Sequence, residues 1–404
     1  MFRNRWLAIG ASLVMASPLV AQEVTFHGQI RPRYEVLRRG ANDVDEFTSM
    51  RVRAAVQALI DANLTVFIEL QDVRLWGEET NTLTDYRADN LDLHQGYIRY
   101  KGKKLDWLTA MIGRQETNLG GQRLVGAVGW TQQGRSFDGA RFDIAPGGAF
   151  AGSVVAYKIA EETAPTQDND VEVYGAYGTI QDVGPGNLDV YLLYDRTDGA
   201  PAVESNRYTF GSRWDIVTPI QGTIKGRLEA SMQRGTVGSD DVSAYMFGAR
   251  LGTTVANGKG GVTLWYDHLS GDDRPGDGEI KVFNTLFATN HKFYGFADLF
   301  LDIPAHTGGH GLRDMAVKLN WSPAPDVSVG ADLHTFRAAQ QSTLTTAKFA
   351  DELDLTVSHR YTPNLTMTSG LSYVRNADGL TEIGHRFAGS ESITWFYMML
   401  NATF

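Results

Sequence analysis

Arginine recurs along this chain in places where a soluble protein would bury something apolar. From Gly113 to Arg141 the sequence reads GRQETNLGGQRLVGAVGWTQQGRSFDGAR, with four arginines and seven glycines. A guanidinium is always charged and grips carboxylates through a two-pronged fork, which lysine cannot do. Several of them around a wet passage raise the local anion concentration while leaving each contact weak enough to exchange. The candidates are Arg51 and Arg53 in MRVRAAVQ, Arg227, Arg360, and the set Arg74, Arg114, Arg123, Arg135 and Arg141. Glu69, Asp138, His94 and His291 are expected to line the same passage. Carboxylates are plentiful, among them Asp72, Asp143, Glu229, Asp298, Glu352 and Asp354, so bracing of a wall is the competing role for each arginine.

Other chemistries find less support. His306 and His310 flank Thr307-Gly308-Gly309, a spacing that matches no metal-ligand template, so no metal or other cofactor is expected. Ser136 and Ser358 are the serines nearest a catalytic arrangement, but Ser358 and His359 are adjacent and would point to opposite faces of a strand. Nothing resembles a nucleophile elbow or a phosphate-cradling glycine loop, and an enzyme is not expected.

The elements that must hold these residues alternate with a period of two. In QGTIKGRLEASMQRG, Lys225, Arg227, Glu229, Ser231 and Gln233 oppose Ile224, Gly226, Leu228, Ala230 and Met232. The runs NLTVFIELQD (63–72), GLRDMAVKLNW (311–321) and DELDLTVSHRY (351–361) repeat this grammar. Soluble sandwiches alternate too, but over strands of about five or six residues. Runs of about ten suit a tilted crossing of a bilayer, where a closed barrel satisfies every backbone group. The length left after export makes about 16 to 18 such strands, with 18 favoured, and a barrel that wide leaves a water-filled lumen. The polar tracts 38–48, 77–90, 115–136, 160–170, 270–279, 304–310, 338–349 and 376–390 are expected as long loops outside, opposite short turns. Trp76, Trp107, Trp130, Trp265, Tyr294, Trp321 and Trp395 are expected in the aromatic girdle or the lumen.

Arg3 and Arg5, then an apolar run from Trp6 to about Val14, then PLVAQ, follow the order of a secretory signal peptide. Residues 1–21 are therefore expected to be removed, leaving 22–404 as a single barrel. The formal net charge of −10 would become −12 on losing those two arginines. That acidity, with export, excludes a nucleic-acid binder. There are no cysteines among the 404 residues, so the fold stands without disulfides.

Six blocks carry a wider resemblance: ELQDVRLWGEE (69–79), LHQGYI (93–98), the 113–141 segment, FNTLFATNHKFYGFADLF (283–300), GLRDMAVKL (311–319) and ELDLTVSHRYTPNLTMTSGLSY (352–373). Together they resemble the alginate export family of bacterial outer-membrane barrels. The resemblance implies a passive outer-membrane channel for an anionic polysaccharide or oligosaccharide, with an arginine-lined, anion-selective lumen. A general or uptake porin for small acidic solutes or sugars is the alternative, and a plugged structural barrel a third. The last strand, SITWFYMMLNATF, sets Phe396, Met398, Leu400, Ala402 and Phe404 on one face, as outer-membrane barrels do for their insertion machinery. The partners expected are thus the anionic saccharide, outer-membrane lipid or lipopolysaccharide, that machinery, and a periplasmic partner giving direction.

Overall fold

The computed structural model describes residues 22–40, 43–78, 91–161, 170–199, 204–219 and 223–404. The expected signal peptide, residues 1–21, lies outside them, as does most of the tract 77–90.

Eighteen long strands close into one antiparallel barrel: β1 (Glu23–Arg39), β2 (Asp43–Leu59), β3 (Leu64–Leu75), β4 (Leu91–Lys101), β5 (Leu108–Gln115), β6 (Phe137–Gly147), β7 (Phe150–Ala160), β8 (Val171–Val183), β9 (Gly186–Thr197), β10 (Ser205–Pro219), β11 (Thr223–Val237), β12 (Asp240–Val255), β13 (Gly260–Leu269), β15 (Leu312–Ala324), β16 (Val327–Arg337), β17 (Lys348–Thr362), β18 (Leu365–Arg375) and β19 (Ser392–Thr403). A two-residue strand, β14 (Glu279–Ile280), runs parallel to β12 beside the wall. The barrel closes where β19 pairs with β1, from Gln29 opposite Thr403 to Arg39 opposite Ile393. Closure leaves no unpaired sheet edge, the condition for standing in hydrocarbon.

The alternation decides the two faces. On β16 and β17, Leu333, Leu355 and Val357 point outward and are exposed, while Asp354 and Glu352 point inward and are buried. The stack of Tyr174, Tyr194 and Tyr208 on neighbouring strands forms part of an outer aromatic band. Connections at one end are tight turns, such as Asp61–Asn63 and Pro363–Asn364, and at the other end include the long excursions after β5, β13 and β18. The tract 38–48 differs from expectation. It is mostly strand, because β1 and β2 stay paired up to Arg39 opposite Asp43.

Candidate channel constriction

The lumen is not simply filled with water. Two segments fold back inside the barrel: 116–136 after β5, expected as an outward loop, and 281–311 before β15, of which 304–310 is expected as one. They join as a short parallel ribbon: Gly126 N–H donates to the Phe287 carbonyl at 2.9 Å, Phe287 N–H to Leu124 at 2.8 Å and Thr289 N–H to Gln122 at 3.0 Å. Their apolar side chains and those of the inner wall make a dry core around Leu124, Val125, Phe137, Phe283, Phe293, Phe300 and Phe336. Within it the short helix α1 (Ile303–His306) is capped by the Asp302 carboxylate on the Ala305 amide. A second, α2 (Asp378–Glu382), turns inward against β17. The expectation of outward loops fails here because these tracts carry an apolar side chain every few residues, enough to bury against one another.

Arginines fasten the first segment. Arg31 donates to the carbonyls of Gly129 at 2.7 Å, Trp130 at 3.1 Å and Thr131 at 2.7 Å. Arg33 reaches Trp130 O at 2.9 Å, and Arg51 reaches Thr131 and Gln132 O at 3.2 Å each. A segment with no sheet partner leaves its carbonyls unpaired, and five fixed donors per guanidinium satisfy them. Arg135, within the segment, donates to Gly126 and Ala288 O at 3.2 Å and also to Phe287 O. Burial without a carboxylate partner lowers its pKa.

A charge knot fastens the two segments to the opposite wall. Arg123 lies 2.8 Å from Asp267 and 3.5 Å from Glu229, donates to the Tyr294 hydroxyl at 2.6 Å, and stacks on Phe293 at 3.9 Å. Burial alone would ease its deprotonation, but Asp267, Tyr294 and Glu229 more than reverse this, and its pKa stands above that of free arginine. Arg250 shares the two carboxylates at 3.5 and 3.7 Å and lies flat on Trp265 at 3.4 Å. Farther along the lumen, Glu352 accepts the Ala297 amide at 2.8 Å and Asp354 the Phe296 amide at 3.2 Å.

What remains open is cationic on one side. Lys292 stands exposed on the inward segment, with its ammonium 3.3 Å from the Gly121 carbonyl. Partial burial, followed by Arg227, Arg213, Arg250 and Arg123, lowers its pKa. Arg227 and Arg213 both pair with Asp215, Arg213 at 2.6 Å. Toward the turn end a recess of about 520 Å³ is lined by Asp215, Lys225, Arg227, Arg250, Thr263 and Asn320. Three cations, one carboxylate, a hydroxyl and an amide make it suited to a solute with both acid and hydroxyl groups.

The structure distributes the residues singled out in the sequence over several places. Arg51, Arg53, Arg141, Arg227 and Arg360 face inward on their strands, Arg360 at the turn end with its guanidinium 3.3 Å from the Pro325 carbonyl. Arg141 is held by Asp143 at 2.6 Å. Arg123 and Arg135 are inside but belong to the inward segment rather than the wall.

Arg74, Arg114 and Asp138 require correction. Register pairs Arg114 with Asp138, on the face that carries exposed Ile112 and Phe142, while their neighbours Gln115 and Phe137 are buried inside. Arg74 pairs across from Met50, outward of the Gln71–Arg53 and Val73–Arg51 pairs, and holds Asp72 at 2.6 Å. These three residues stand on the outer surface because each lies one residue out of phase with the inward set. Of the aromatics, Trp130, Trp265, Tyr294 and Trp395 are inside, whereas Trp76, Trp107 and Trp321 are exposed.

Arg31, Arg33, Arg213, Arg250 and Lys292 were not anticipated from sequence. For Arg31 and Arg33 the signal was present, since they alternate with Gln29 and Glu35 in QIRPRYE.

His94 sits among Glu69, Glu116 and Ser136, with donor atoms of His94, Glu69 and Glu116 within 4.8 Å of one another. The cation there is Arg53, 3.0 Å from Glu116 and 3.6 Å from Glu69. Burial would raise the Glu116 pKa, but His94 and Arg53 reverse it and hold it below the usual value. The Ser136 hydroxyl donates to the His94 carbonyl at 2.6 Å, so it is engaged by backbone rather than poised as a nucleophile. His291 stacks on Trp130 at 4.3 Å and pairs with Asp298 at 2.7 Å. His306 accepts the Leu301 and Asp302 amides at 3.2 and 3.3 Å through Nδ1, and His310 faces the Gln340 carbonyl.

A closed barrel of eighteen strands, apolar outside and charged inside, with a constriction built from its own inward segments, is a channel of the bacterial outer membrane. The chain belongs to the alginate export family, whose model matches residues 22–376. No curated protein matches it. Among solved structures it is similar to Pseudomonas aeruginosa OccK8 (OprE), at 13% identity and TM-score 0.62, covering 95% of this chain and 98% of that one. It is also similar to P. aeruginosa OccK9 (OpdG), at 11% identity and TM-score 0.64 over the same shares. P. aeruginosa OpdK, in a structure with vanillate, matches at 9% identity and TM-score 0.61 over 94% of this chain and 98% of that one. At these identities the likeness is one of fold.

Proposed function

We propose that this channel passes acidic saccharides through a lumen selective for anions. The observation that carries the proposal is the excess of cations facing water: Lys292 at the inward segment and Lys225 in the recess below, beside Arg227, which shares the Asp215 carboxylate with Arg213. A carboxylate about 4 Å from one such cation gains roughly 1 kcal/mol in water, and more where the walls exclude water. That is enough to favour entry and too little to trap. Thr263 and Asn320 supply partners for sugar hydroxyls.

The inward segments narrow the passage, which favours short oligosaccharides or single acids over a thick polymer. The small-acid reading gains some support from OpdK, whose structure holds vanillate, a small carboxylate. Direction comes from a gradient or a periplasmic partner.

Reversal potentials across planar bilayers test the selectivity, and block by uronates of graded length tests the solute. Anion preference should fall about fivefold for Lys292→Gln and for Arg227→Gln, the change that roughly 1 kcal/mol implies. A cation-preferring wild-type pore would refute the proposal.

A further inference from the structure

On the outer face, at the loop end, a band of cations stands above an apolar groove. Cross-strand register sets Arg313 of β15 beside Arg337 of β16, and Arg337 beside Lys348 of β17. Arg375 of β18 follows, opposite Asp351. The three arginines point away from the lumen, because Leu312, Phe336 and Val374, their immediate neighbours in the chain, are fully buried inside.

The band is short of carboxylates. Arg313 gives its donors to the Ala338 carbonyl at 3.0 and 2.8 Å. The Arg337 side chain has no hydrogen bond or ion pair among the described residues, its backbone alone being paired in the ladder. Asp351 is held by Lys348 at 2.6 Å and lies 4.0 Å from Arg375. Of the other outward cations near this end, Arg114 is matched by Asp138 at 2.6 Å, Arg196 by Asp198 at 2.6 Å and Lys158 by Asp170 at 2.9 Å, while Arg38 and Arg234 each stand singly without a carboxylate. What sets the β15–β18 sector apart is that its under-matched cations lie on adjacent strands.

Directly below lies a groove of about 710 Å³, with Leu264, Met315, Leu333, Leu353 and Tyr373 along it and Arg375 at its lip. Leu333 is 50% exposed and Met315 45%, on a face turned to lipid.

We propose that this groove holds an acyl chain of a phosphorylated outer-leaflet lipid, with a phosphate seated on Arg375, Arg337 and Arg313. Loop ends of such barrels face outward, so the band stands at the depth of that leaflet's headgroups. Guanidinium forks match phosphate oxygens, and the groove supplies apolar contact for the chain that the headgroup fixes in place. A phosphate has the charge that these arginines lack in a partner.

Native mass spectrometry of the full-length protein in detergent, titrated with bisphosphorylated lipid A, tests this. Each arginine near a charged lipid surface contributes roughly a fivefold factor, so Arg313→Ala, Arg337→Ala and Arg375→Ala together should weaken binding on the order of a hundredfold. Leu333→Trp, which fills the groove and keeps the charge, should weaken it about tenfold. Arg74→Ala with Arg114→Ala should leave it unchanged. Wild-type conductance of each variant establishes that the barrel has folded. Equal retention of lipid A by the triple variant, or equal binding of dephosphorylated lipid A to the wild type, would overturn the proposal.

Discussion

Replacing Arg123 by Met should loosen both inward segments while leaving the barrel intact. The guanidinium is 3% exposed and is the cation nearest Asp267, at 2.8 Å, with Glu229 at 3.5 Å and the Tyr294 hydroxyl at 2.6 Å. Removing one partner of a buried ion pair typically costs about 3–5 kcal/mol, because the charge left behind is uncompensated. Arg250 stays 3.5 Å from Asp267 and 3.7 Å from Glu229, so the loss falls toward the lower end, roughly 3 kcal/mol. The strands keep their own ladders and need not separate. The cheapest relief is for the segment around Leu119–Val125 to move off and let water reach the carboxylates. A 3 kcal/mol change raises the open population about a hundredfold. Hydrogen exchange followed by mass spectrometry reads this directly. Amides near 122–126 should exchange faster together with those near 287–294, because the Gly126–Phe287 and Thr289–Gln122 bonds tie the two segments. Single-channel currents should become noisier and larger, and amides of β11–β13 should not change. Adding Asp267→Asn should restore part of the protection. If Arg123→Met leaves exchange in both segments at the wild-type rate, the knot does not hold them.

Three further outcomes are expected. Arg74→Ala and Arg114→Ala should leave reversal potentials at wild-type values, since both side chains stand outside the wall; a drop in anion preference would contradict their placement. Anion preference should fall as pH is raised, and should begin to fall below the ordinary lysine range, because burial and four neighbouring arginines lower the Lys292 pKa; Lys292→Gln should remove that step, and its persistence would assign it elsewhere. His385 bonds the Leu299 carbonyl at 2.8 Å, and burial, with His306 and Arg386 adding, pushes its pKa down to about 4. Stability it contributes when neutral is complete above about pH 6.5, the unfolded value, and is lost as pH falls toward about 4. Exchange in 378–391 should therefore quicken over that window, and His385→Phe should flatten the dependence.

Much of the barrel was legible because its rule is local. Alternation over ten residues fixes which face a side chain takes, and Arg227 on β11 or Glu352 on β17 could be placed from their neighbours alone. At Arg74 and Arg114 that rule and the residue type point to opposite faces. Their residue type and their place in a family-like block point to the lumen, but Leu64, Val66, Ile68 and Leu70 put residue 74 on the lipid face. Lys292 and Arg123 could not be placed at all by period, since neither lies on a strand. Their positions follow from long-range bonds, such as Arg123 to Tyr294 across 171 residues, that no local pattern encodes.

The arginine-rich segment after β5 now has a physical explanation different from a lining exposed to water. A chain that leaves the sheet and enters the barrel carries a row of carbonyls with no strand to pair them. Glycine lets it turn, as at Gly120 and Gly134, both at positive φ. Arginines of the wall then take up its carbonyls, three of them at Gly129, Trp130 and Thr131 through Arg31 alone. These guanidiniums are consumed by structure and cannot also attract a solute. Selectivity therefore falls to the few cations that keep donors free for water: Lys225 first, which is exposed and has no side-chain partner among the described residues, then Lys292, which meets one carbonyl, and Arg227, which shares Asp215 with Arg213. It follows that the number of arginines in a barrel of this kind says little about its preference for anions, and the number left without a backbone or carboxylate partner says much more.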